Sequence, residues 1–286
     1  MPVPCISAPN VSQAWLEAVR ALDRKGSDPR ALHMVVSIDD PTTEEEPIRA
    51  AVDMLLRDLD LPPADTVANT IFPAALAATC ADHDELVERY LKYLPRLLKF
   101  KGNHLGTYFA RLIDYPGPKG PVDQLGAAIA RMQKGGRARF TRYEALVDQP
   151  MPHTPETMKD KATENEAMGK EFVDPGSAPV EAFSPIYVPG KDNTPGSFPC
   201  MSHCSFQLDA AGKVHALAYY RSQSMVQRAY GNYLGLGRLL DHVVGQAGLE
   251  TGRLTIVAGQ AQIEEPFRRR AGLVAAQPET LPGLAL

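Results

Sequence analysis

The chain has 286 residues, 44% of them hydrophobic and 22% charged, with a formal net charge of -4. That balance is ordinary for a globular protein with a sizeable core, and it gives no support to a nucleic-acid-binding surface. No apolar run reaches the roughly 18 residues that a membrane-spanning helix needs, and Met1-Pro2-Val3-Pro4-Cys5 lacks the basic and apolar regions of a signal peptide.

In chain order, Asn10-Val11-Ser12 is a cap-like start to a helix, with Ala14, Trp15, Leu16, Ala18, Val19 and Leu22 at helical spacing and an end near Gly26. Leu32 to Ile38 reads as a strand stopped by Asp39-Asp40-Pro41. Helical periodicity returns over Glu46 to Leu59 and over Asp84 to Phe100, where Pro95 is expected to kink the helix or mark a boundary. Val122 to Lys134 is the cleanest amphipathic helix of the first half, with Gly135-Gly136 as its stop. Between 148 and 198 the chain is rich in Pro, Gly, Asp, Glu and Lys and weakly periodic, which predicts a loop-rich insertion or a lid. Strands are then expected at Ser205 to Leu208 and Val214 to Tyr220, joined by a turn at Asp209 to Lys213. A buried helix over Gly231 to Gly248 and a short strand at Leu254 to Val257 follow. The whole predicts one α+β domain over 1–286, with helices on a largely antiparallel or mixed sheet.

Cysteine usage points to compartment. Cys5, Cys80, Cys200 and Cys204 are too few in so long a chain for a disulfide framework, so a reducing, cytoplasmic setting is expected. Cys200, His203 and Cys204 form a tight cluster, but a structural zinc site wants four ligands. On a strand the two cysteines would share a face while His203 pointed away. No metal is therefore expected.

The most informative stretch runs from Phe198 to Glu264. It carries Pro199-Cys200, then Tyr220-Arg221-Ser222 with the arginine 21 residues past the cysteine, then Asn232 a further 11 on, and finally Gly259-Gln260-Ala261-Gln262-Ile263-Glu264. A thiol is a strong nucleophile that can later be expelled. An arginine fork matches phosphate, and an amide can read the edge of a base. Together these groups fit a site that holds a nucleotide monophosphate and attacks its base.

Their order and spacing resemble the thymidylate synthase superfamily, whose members place a one-carbon unit on C5 of a pyrimidine nucleotide. Phe206 also falls where the family has its strand phenylalanine. The resemblance implies that Cys200 adds to C6 of the base, that Arg221 and Ser222 hold phosphate, and that Asn232 reads a uracil. It implies that Gln262 and Glu264 face the sugar. It further implies a homodimer in which Arg137 and Arg139, after the helix opened by Asp123-Gln124, reach the partner's phosphate site. A dUMP-like nucleotide and 5,10-methylenetetrahydrofolate would be the substrates, and a methyl or hydroxymethyl group the product.

The departures from the family pattern are specific. Met201 stands where the family has histidine, and Ser224 and Gln260 stand where it has aspartates. Gln262 and Glu264 replace a histidine and a tyrosine. The single tryptophan, Trp15, lies in the first helix, and neither Glu85 nor Glu88 is marked as the catalytic glutamate. The sequence ends with a segment, Thr280 to Leu286, that resembles the family's Leu-Pro-x-Leu strand, so the closing tail is expected to be missing. A site open to water suits hydroxymethyl transfer better than reductive methylation. The same departures leave open a non-catalytic nucleotide-binding protein on this fold.

Overall fold

The structure, a computed structural model, describes residues 4–23, 28–99, 107–117, 120–134, 143–147, 200–265 and 267–275. The predicted insertion, Arg137, Arg139 and the chain's last residues lie outside these.

The order begins β1 (Cys5–Asn10), α1 (Val11–Leu22), β2 (Arg30–Asp40), α2 (Glu46–Asp58), α3 (Ala64–Ile71), α4 (Ala74–Ala77), α5 (His83–Leu97) and α6 (Tyr108–Ile113). A small pair, β3 (Tyr115–Gly117) and β4 (Gly120–Val122), precedes α7 (Gln124–Gln133) and β5 (Tyr143–Leu146). Next come β6 (Met201–Leu208), β7 (Lys213–Ser224), a π-helical turn (Met225–Ala229), α8 (Tyr230–Ala247), β8 (Glu250–Gln262) and α9 (Arg268–Ala275). No helix of the described residues is long and apolar enough to cross a membrane.

The main sheet has six strands in the order β1-β2-β8-β7-β6-β5. It is mixed, as expected. β1 runs parallel to β2 and β7 parallel to β8, while the remaining neighbours are antiparallel. Each parallel pair is joined through a helix, which such a connection requires. Side chains alternate across the pleat. Met34, Val36 and Ile38, Ala216, Ala218 and Tyr220, and Leu254, Ile256 and Ala258 are buried. On the other face, Val35, Val257, Tyr219, His203 and Leu146 form one row across the strands, with Tyr219 and Leu146 exposed.

Helix starts follow side-chain chemistry. Asn10 accepts the Gln13 N–H at 2.9 Å, as its polar start predicted, and Asp82, Thr107 and Asp123 cap α5, α6 and α7 in the same way. Helix α5 contains Pro95 in its last turn and continues to Leu97, so the proline neither bounds nor starts it. Helix α8 is the central one. Its Gly231 and Gly235 let α3 approach closely, since a Cβ at Gly231 would stand 2.5 Å from the Ala64 carbonyl. Its end uses Gly248 in the left-handed region at φ 69°.

Trp15 is fully buried in α1, and its Nε1 donates a 2.8 Å hydrogen bond to the Met225 carbonyl. Burying a side chain of this size stabilises by about 3 kcal/mol. The bond also ties α1 to the turn that leads into α8. The first half holds six elements that periodicity did not reveal: β1, α3, α4, α6, β3 and β4. They are short, and short apolar runs carry little periodic signal.

Candidate functional site

Parallel strands joined by a helix open a crevice beyond their carboxyl ends, and ligands of α/β sheets commonly bind there. Strands β7 and β8 end together here. Ser222 pairs with Gln260 and Ser224 with Gln262. Predicted site residues scattered over 40 positions of sequence thus become neighbours across one strand pair. The strand carrying Gln260 and Gln262 is also far longer than the four residues expected, because its outer segments alternate with polar residues that hide it.

Cys200 immediately precedes β6, whose Met201 lies opposite Tyr220 of β7. The Arg221 N–H donates to the Cys200 carbonyl at 2.8 Å, which continues the ladder one residue past the strand. The register shifts between Met201 and His203, so a bulge sits beside the thiol. Bulges re-aim side chains next to sites. Phe206 lies in β6, within the strand expected from the sequence, and is buried.

The surroundings of Cys200 are aromatic and cationic. The Tyr108 hydroxyl accepts the Met201 N–H at 3.3 Å, and both Tyr108 and Tyr220 are buried. Both lie close enough to act electrostatically on the thiol. Burial pushes the Cys200 thiol above its ordinary value, against the pull of Arg221 and Arg228. As a residue Cys200 keeps exposed surface, although the desolvation of its thiol disfavours the charged form. The Tyr220 hydroxyl and Gln223 Nε2 are buried and have no hydrogen-bond partner among the described residues.

The other predicted residues divide. Arg221 and Ser222 are half-buried at the end of β7. Asn232 is 4% exposed and lies inside α8, beyond its first residue. Gln262 Oε1 accepts from Gln260 Nε2 at 3.1 Å. Glu264 follows β8, and its carboxylate accepts the N–H groups of Val226 at 3.0 Å and Gln227 at 3.2 Å. Its oxygens are thus already engaged in holding the π-helical turn. Glu85 accepts from the Ala81 N–H, and Glu88 pairs with Lys92 at the surface, so neither stands at this site.

The thiol-imidazole-thiol cluster separates in space. Cys204 is buried on the inner face, where burial pushes its thiol up to about 12. His203 faces outward and pairs with Glu144 at 2.6 Å. Arg228, Tyr108 and Tyr220 were missed as site residues. Arg228 is a single cation in a helix-like run, and nothing in its spacing from Arg221 signals that both act electrostatically on Cys200.

No family model matches the chain. Three curated proteins named "Putative thymidylate synthase" are similar to it. The one from Methanopyrus kandleri is 25% identical over 169 residues, covering 51% of this chain and 79% of that protein. Those from Methanosarcina acetivorans and Methanothermobacter thermautotrophicus are each 32% identical over 77 residues, covering 27% of this chain. The chain matches 35% and 34% of these two proteins' lengths. The chain is thus related at low identity to proteins that bear a thymidylate synthase name.

Proposed function

We propose that this chain is a homodimeric transferase that places a one-carbon unit on C5 of a pyrimidine nucleotide monophosphate. The supporting observation is the meeting of Cys200, Arg221, Ser222 and Gln262 at the carboxyl ends of β7 and β8, the thiol and the guanidinium strand being joined by the 2.8 Å bond from Arg221 to Cys200. Names of similar proteins support the same reading at coarser grain.

The chemistry assigned to the chain's own residues is limited. The Cys200 thiolate adds to C6 of the base, and the displaced electron pair makes C5 nucleophilic. Arg221 and Ser222 hold the phosphate, and Asn232 donates to O4 and accepts from N3-H, which selects uracil over cytosine. Arg137 and Arg139 reach the phosphate from the partner subunit. The outer sheet face bearing Val35, Val257 and Tyr219 is a surface on which a second copy can stack.

Methylenetetrahydrofolate is the donor that this chemistry calls for, and when bound it supplies the carbon. The described residues mark no platform for it: Trp15 is buried in the core with its Nε1 occupied by Met225.

One observation favours a second reading, a nucleotide-binding protein without catalysis. Burial raises the Cys200 thiol rather than lowering it, which disfavours the nucleophile at rest. Mass spectrometry of incubations with dUMP, UMP, dCMP and CMP, each with methylenetetrahydrofolate, separates the two. A product heavier by methyl or hydroxymethyl, lost in Cys200→Ala, supports the transferase. Nucleotide binding without product, unchanged in Cys200→Ala, leaves only the binder.

A further inference from the structure

Among the described residues, two other than glycine occupy the left-handed region: His33 at φ 56° and Asp60 at φ 53°. Asp60 follows the end of α2, where that conformation is ordinary. His33 stands within β2, where it is not, and a side chain there carries a cost that glycine would avoid. Strain of this kind clusters at ligand sites. The neighbours of His33 place it at this one. Leu32 pairs with Gln260, which pairs on its other side with Ser222, and Met34 pairs with Ala258, which pairs with Tyr220. His33 is therefore opposite Gly259, in the row that continues to Arg221, whose N–H is bonded to Cys200. Two strand spacings, about 10 Å, separate the backbones of His33 and Arg221. A Cβ at Gly259 would stand 2.9 Å from the Arg221 carbonyl oxygen, so this row is bare between the imidazole and the guanidinium. His83, His203, His215 and His242 each have a side-chain partner. His33 is exposed and has none among the described residues.

We propose that His33 is a further binding residue of the site, its imidazole hydrogen-bonding a hydroxyl of the nucleotide's sugar. The inference rests on the reading of this site as one for a pyrimidine nucleotide monophosphate. It also meets a need of that site. Both residues assigned to the sugar are engaged with the protein: Glu264 accepts the Val226 and Gln227 N–H groups, and Gln262 accepts from Gln260. Strand β2 flanks the same segment of β8 on the side away from β7, through Leu32 opposite Gln260 and Arg30 opposite Gln262. With Arg221 and Ser222 on the phosphate, the sugar comes beside this strand end, where His33 offers the free polar group. A neutral imidazole donates through one nitrogen and accepts through the other, which suits a hydroxyl.

The test pairs a change in the protein with a change in the ligand. Calorimetry gives the affinity of the full chain for UMP, for dUMP and for the dideoxy analogue of UMP, which lacks both sugar hydroxyls, in the wild type and in His33→Gly. The variant adopts the left-handed backbone freely and loses the imidazole. UMP, dUMP or both should bind about tenfold more weakly to it. The dideoxy nucleotide should bind as before, and the urea midpoint should be no lower than that of the wild type. Unchanged affinity for UMP and dUMP overturns the proposal. So does a loss that the dideoxy nucleotide shares, because that reports a disturbed strand end. A lowered midpoint also overturns it, since His33 would then stabilise the strand instead of straining it. Failure of the nucleotide reading itself would appear separately, as a wild type that binds none of the three, and would remove this inference with it.

Discussion

The carboxylate of Glu264, just past β8, accepts the backbone N–H of Val226 at 3.0 Å, so the end of one strand caps the turn that leaves its parallel neighbour. Backbone donors at the start of a helical segment have no internal partner, and an anion satisfies them best. Glu264→Gln keeps the shape and loses the charge. It should lower stability by about 1 kcal/mol, seen as an earlier urea midpoint. An unchanged midpoint would show that the turn holds without the charge.

Arg221→Lys retains a cation and loses the planar fork. If the fork holds phosphate, affinity for a pyrimidine nucleotide monophosphate should fall about tenfold, or roughly 1.4 kcal/mol. Affinity for the corresponding nucleoside should not change. Calorimetric titration of both ligands checks this, and an equal loss for both would place Arg221 away from the phosphate.

Arg49 gathers three carboxylates: Glu44 at 3.0 Å, Asp53 at 2.8 Å and Asp65. It also lies over the Tyr230 ring at 5.9 Å, and Asp65 is shared with Arg238 of α8. Burial would lower its pKa, but the bonds from Asp53, Asp65 and Glu44 outweigh that and raise it. Arg49→Met leaves half-buried carboxylates without their cation. The expected cost is about 2 kcal/mol, less than for a fully buried pair because water reaches part of the network. Thermal unfolding would report it.

His242 is held down to about 4 by burial and by His83, with Asp123 pulling the other way. His83 bridges the two, with Nδ1 at 3.1 Å from His242 and Nε2 at 2.8 Å from Asp123. Between 6.5 and about 4 the unfolded chain binds a proton at His242 that the folded chain does not. Stability should therefore be full above that window and fall as pH drops through it, by at most about 1.4 kcal/mol per pH unit from this group. Denaturant midpoints across the window should flatten in His242→Gln. An equally steep loss in the variant would assign the acid sensitivity to other groups.

Tyr219 is exposed near the middle of the outer sheet face. If a second copy stacks there, Tyr219→Asp buries an uncompensated charge in the interface and should convert dimer to monomer. Light scattering coupled to size exclusion decides it, and an unaltered mass would remove this face from the interface.

Local chemistry made much of this legible in advance. Asn10 capping α1, the hairpin at Asp209 to Lys213 with Gly212 at φ 89°, and the helix that contains Asn232 all follow from residues near one another in sequence. Cys200 and Arg221, 21 residues apart, meet through their backbones because the ladder between β6 and β7 extends one residue past the strand. What the chain alone determined was therefore its longer, strongly patterned elements and the local caps and turns between them. Only the tertiary structure decided that β7 and β8 run parallel and that Glu264 serves the backbone of a π-helical turn. Those relations depend on segments brought together by burial of a shared core, and burial is a property of the assembled layers that no local spacing encodes.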